Sequence, residues 1–85
     1  MTLDIPQRLL ASSAFTELEP RHQPFKTRYT VPRAMIDWMH EHADKPFRFV
    51  PILEADEGES RAYPVAARIH GDSEDLMLFR INFGF

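Results

Sequence analysis

The chain has no cysteine. Disulfide staples, thiolate metal sites and cysteine nucleophiles are excluded together. Glycine is scarce, and Gly58, Gly71 and Gly84 stand too far apart to form a phosphate-cradling loop. No apolar run approaches the roughly 18 residues of a membrane span. The opening stretch MTLDIPQRLLASSAF lacks the basic leader and apolar core of a signal peptide. A soluble, cytoplasmic protein is expected. A charge excess of one sign is also missing. Ten Lys and Arg against thirteen Asp and Glu give a formal net charge of −3, too mild to announce a nucleic-acid binder or a polyanion mimic.

What is present is globular in character. Hydrophobic residues make up 44% and aromatics 12%, well above disordered chains. The 85 residues suit a single domain, with a thin stability margin, since a chain this short buries only about 60% of its unfolded surface. The start at Met1 and the apolar tail suggest a complete small gene product. No internal repeat or low-complexity stretch interrupts it. Within residues 1–85, the segment 1–24 has no decided structure, and 25–85 carries a sheet and a helix.

Periodicity divides that core into elements. Asp4 could cap a short N-terminal helix running to about Ser13, with Leu9 and Leu10 inward. Residues 25–31, FKTRYTV, alternate like a strand. Pro32 suits the first turn of a helix from about Arg33 to Ala43, and Pro46 closes it. Arg33, Asp37, His40, Glu41 and Asp44 share the solvent face of that helix. Met35, Trp38, Met39 and His42 share the other, so His42 is expected to be buried beside Trp38. Three strand-like runs follow at 46–54, 61–70 and 75–84, separated by acidic loops. The order β-α-β-β-β predicts an α+β fold: a mainly antiparallel sheet with one amphipathic helix on one face. If the strands flanking the helix shared a sheet side by side, their crossover would be right-handed. Pro51 and Pro64 predict breaks or bulges.

Period-two alternation gives the predicted sheet two faces. The odd face holds Phe47, Phe49 and Leu53, then Tyr63, Val65, Ala67 and Ile69, then Met77, Phe79, Ile81 and Phe83. This is the expected core, with Phe49 opposite Val65 and Ala67 opposite Phe79. The even face holds Lys26, Arg28, Arg48, Arg68, His70 and Arg80, together with Val50, Ile52, Leu76 and Leu78. Arginine on a wet sheet face is ordinary surface, its stem packed and its head solvated. The functional alternative is a binding face. Its apolar members call for cover, from residues 1–18 or from a second copy in a homodimer.

Searches for reactive chemistry find little. His40 and His42 lie two apart, so a helix points them in nearly opposite directions, unlike the metal-binding pair four apart. His40 and Asp44 have usable spacing, but zinc needs three or four convergent ligands. The loop from Glu54 fails the calcium-loop spacing, with Glu59 in place of the turn glycine and Val65 in place of the last carboxylate. Ser12, Ser13, Ser60 and Ser73 have no nucleophile elbow around them. No metal or cofactor is expected, and the carboxylates cluster in loops where nothing raises their pKa for acid catalysis. By elimination, the expectation is a small non-catalytic protein that regulates or inhibits by contacting another protein. Antitoxins and immunity proteins share its size and character, which is analogy only. The alternative is a nucleic-acid binder using the basic face, although that face lacks exposed aromatics on which bases stack.

Overall fold

The computed structural model describes residues 1–15, 26–55 and 62–85. The fold is α+β, with five strands in antiparallel sheets and two helices among the described residues. Strand β1 (Thr2–Ile5) is followed by a 3₁₀ turn over Gln7–Leu9 and by β2 (Ala11–Phe15). Then come β3 (Lys26–Thr30), helix α1 (Arg33–His42), β4 (Arg48–Glu54), β5 (Tyr63–His70) and helix α2 (Ser73–Phe83). One sheet has the order β1-β5-β4; the other is the two-stranded ribbon β2-β3. Ribbon strand β3 runs close to β5.

The N-terminal segment corrects the expected helix. Pro6, with ψ near 136°, breaks any helix begun at Asp4, and the chain before it pairs with β5 instead. The strands flanking α1 belong to different sheets, so no side-by-side crossover joins them. In the β4–β5 hairpin Phe49 faces Ile69 rather than Val65. That register differs from the expected one by an even number of residues, so each side chain keeps its face. A bulge between Ile52 and Leu53, close to Pro64, then shifts the pairing. Leu53 emerges 57% exposed, although it is an expected core residue.

The larger correction lies at the C-terminus. Residues 75–84 do not form a third meander strand; α2 occupies 73–83. Its ends explain why. The Asp72 carboxylate accepts the Glu74 N–H at 3.1 Å as an N-cap. Glu74 and Asp75 place negative charge on the positive end of the helix dipole. Gly84, with φ of 76°, closes the helix in the left-handed conformation that glycine adopts without strain.

The core lies between the odd face of the larger sheet and the two helices. Ile5, Ala67 and Ile69 from the sheet meet Met35 and Met39 from α1 and Leu76 and Phe79 from α2. Phe79 is fully buried, and its ring contacts those of Trp38, Phe49, Phe83 and Phe85 at centroid distances of 4.9–6.2 Å. Asp75 is the one buried charged side chain among the described residues. It accepts the backbone N–H groups of Asp44 at 3.3 Å and Lys45 at 3.1 Å, tying the end of α1 to the start of α2.

Candidate functional site

The ten side chains expected on one face fall into three places. Arg48, Arg68 and His70 do share the even face of the larger sheet, where Arg48 stands opposite His70 and Val50 opposite Arg68. Val50 and Ile52 lie on this face, half-buried. Arg28 stands exposed on the β2–β3 ribbon, and the Lys26 side chain lies outside the described residues. Arg80, Leu76 and Leu78 lie on α2, away from the face assigned to them, because a helix turns them about its axis. Leu76 is a core residue at 1% exposure, whereas Leu78 is 50% exposed.

Strand β1 changes the charge of the even face. It brings Asp4 directly opposite Arg68 and Thr2 opposite His70. The Arg68 Nε lies 2.6 Å from Asp4 Oδ1, and Thr2 Oγ1 lies 3.1 Å from His70 Nδ1. The face is therefore mixed, with Arg68 already paired.

A different surface stands out on α2. Asp75, Leu76 and Phe79 point inward, while Met77, Leu78 and Ile81 point outward at 57%, 50% and 70% exposure. On a surface helix packed through one stripe, the side away from the core is normally polar. Beside this stripe, α2 and β1 enclose an open cleft of about 540 Å³. Its apolar walls are Met1, Leu3, Leu76 and Met77; Ser73, Glu74 and Arg80 supply the polar lining. Two backbone bonds hold Met1 in place. Its ammonium donates to the Gly71 carbonyl at 2.9 Å, and the Gly71 N–H donates back at 3.0 Å. A side chain at Gly71 would press on Phe47 Cβ at 3.3 Å, so the close approach favours glycine.

His42 is exposed, contrary to its expected burial. Its ring stacks on Trp38 with centroids 4.5 Å apart, and Nδ1 donates to the Trp38 carbonyl at 2.9 Å. That bond holds the imidazole along the outside of α1. His40 is exposed and meets Phe47 edge-on. Among the described residues no three His, Asp or Glu side chains converge as metal ligands. The acidic stretch expected to be a loop, with Ser60, lies beyond Ala55 outside the described residues.

No protein-family model, curated protein or solved structure matches the chain.

Met1, Met77 and Ile81 were not among the expected binding residues; alternation puts Met77 and Ile81 in the core. The signal that locates them is the capped interval from Asp72 to Gly84. Read at helical period, that interval has too many apolar residues for one buried side.

Proposed function

We propose that this chain is a small non-catalytic protein, a regulator or inhibitor in type, that acts by docking another protein. The outer face of α2 carries this reading. Met77, Leu78 and Ile81 form a contiguous apolar stripe beside a cleft, on a helix whose opposite side is already buried. Exposed apolar patches of this kind mark interaction surfaces, and the cleft beside the stripe offers a recess for a partner's side chain. Among the described residues no helix is long and apolar enough to cross a membrane. The cytoplasm is the proposed compartment, since a cysteine-free chain has no disulfide tying it to an oxidising one. The second reading is nucleic-acid binding, favoured by the exposure of Arg28 and Arg48 and weakened by the Arg68–Asp4 pair.

Affinity capture with wild type, Ile81→Asp and Arg48→Glu separates the two. A stoichiometric protein partner that survives nuclease and Arg48→Glu, and disappears with Ile81→Asp, is the expected outcome. A ligand lost with nuclease or with Arg48→Glu, and showing a steep fall of affinity with salt, reverses the order of the two readings.

A further inference from the structure

We infer that the cleft between β1 and α2 receives an extended segment of the partner protein, which adds to the larger sheet as a strand beside β1. The inference rests on the docking role proposed for the α2 stripe and names the form of its occupant. Strand β1 stands at one end of the sheet order β1-β5-β4. Antiparallel pairing turns the backbone groups of alternate residues toward the neighbouring strand and those between them away. The phase is visible at Met1, which exchanges both backbone bonds with Gly71. Leu3 and Ile5 follow it at even steps and so bond across the ladder to Ile69 and Ala67. The N–H and C=O groups of Thr2 and Asp4 therefore point away from β5. Among the described residues no other backbone group meets them. Such a row of unpaired donors and acceptors is a template for another strand.

The opposite edge of the sheet is less receptive. Ala67 directs its backbone groups to Ile5, so Pro51, its partner on β4, turns outward. Proline there removes a donor, and the bulge between Ile52 and Leu53 breaks the row again. Thr2–Ile5 holds no proline and no bulge. The Asp4 carboxylate reaches across the even face to Arg68, on the side of the sheet away from the helices.

The cleft lies along the same edge. Met1 and Leu3 line it from β1, and Leu76 and Met77 line it from α2. Leu3 and Ile5 pack toward the helices, so this is the odd face of the sheet. Side chains of an added strand alternate between the two faces. Every second one would face α2, enter the cleft and cover Met77. The site therefore selects an extended segment with apolar residues two positions apart. A helix or a flat apolar surface would cover the stripe and leave the Thr2 and Asp4 backbone groups unused. Strand addition satisfies both features at once, with main-chain bonds for affinity and the cleft for specificity.

Short random peptides displayed on phage and selected on the immobilised full chain supply the probe. Selected peptides are expected to carry apolar residues two apart rather than three and four apart. Methylating their backbone nitrogens one at a time should weaken binding roughly tenfold at alternate positions and little at those between. Thr2→Pro deletes an outward N–H and no ladder bond to β5, so it should weaken binding by a similar factor. Thr2→Ala keeps the N–H, loses only the hydroxyl contact to His70, and should bind as the wild type does. Hydrogen exchange on the unaltered chain reads the same contact: bound peptide should slow exchange at the Thr2 and Asp4 amides. Peptides that tolerate every methylation and leave that exchange unchanged overturn strand addition. If Met77→Asp still abolishes their binding, the docking role stands. A selection that enriches nothing overturns the extended segment, and capture with Ile81→Asp then decides the docking role by itself. Exchange at Thr2 and Asp4 that slows with protein concentration, without peptide, assigns the edge to a second copy and overturns the foreign segment. Peptide binding indifferent to both Met77→Asp and Ile81→Asp removes the docking role as well.

Discussion

Asp75 carries a carboxylate into the interior at 5% exposure, and two backbone N–H groups meet it there. Hydrogen bonds to a charged group are stronger than neutral ones, and the loop after α1 depends on these two. Asp75→Ala should therefore destabilise the fold by about 1.5–3 kcal/mol, measured by urea unfolding. Asp72, three residues earlier, gives a pH signature. Partial burial pushes its carboxyl up. The N–H groups of Asp75 and Glu74 and the Lys45 ammonium pull it down by more, leaving it below its ordinary value of 3.8. The unfolded chain then binds the proton more readily than the folded one. The stability contributed by Asp72 is complete above the unfolded pKa and disappears as pH falls through the lower folded value. Asp72→Asn keeps a capping side chain without that titration. Between about pH 5 and about pH 2.5 the variant should lose less stability than the wild type; equal losses in urea titrations would show that Asp72 contributes no pH dependence.

At the scale of elements, α2 decides both the core and the exposed stripe. Phe79→Ala empties the centre of the aromatic cluster and should cost roughly 3–5 kcal/mol. A domain of this size has about 5 kcal/mol in total. Little folded protein should remain at 37 °C, and a cooperative melt near that of the wild type would contradict the packing. Gly84→Ala distinguishes the helix from a strand more gently. An alanine Cβ at φ of 76° costs about 1–2 kcal/mol, whereas the end of an extended strand would accept alanine freely. Calorimetry reads the difference directly.

For the whole molecule, a partner docked on the α2 stripe would link folding to association. A partner that binds only the folded chain raises the melting temperature as its concentration rises. The wild type should show that rise and Ile81→Asp should not. Without partner the two should unfold within about 0.5 kcal/mol of each other, because Ile81 is exposed surface in the separated chain. A large loss of stability in Ile81→Asp without partner would mean that this side chain supports the fold itself. The α2 stripe would then no longer stand apart from the core as a docking surface.

The sequence alone determined the class of fold, helix α1, the β4–β5 hairpin and the odd face that forms the core. Local physics explains each. Pro32 and Pro46 bound α1, a polar acidic run in the sequence separates the two strand patterns, and strict alternation assigns a face even when the register is displaced by an even step. Only the tertiary structure decided the two ends of the chain. Residues 2–5 give too short a pattern to choose a state, and pairing with β5 makes them a strand. That choice places Asp4 beside Arg68, so the charge of the even face depended on a neighbour 64 positions away. At 73–83 the caps at Asp72 and Gly84 were legible, but the apolar stripe outside α2 erased the helical period and left an alternation that reads as strand. The candidate site was hidden for the same reason. Met77 and Ile81 read as core, and Leu78 as part of the even sheet face, until packing against the sheet uses up the opposite side of the helix and turns all three outward.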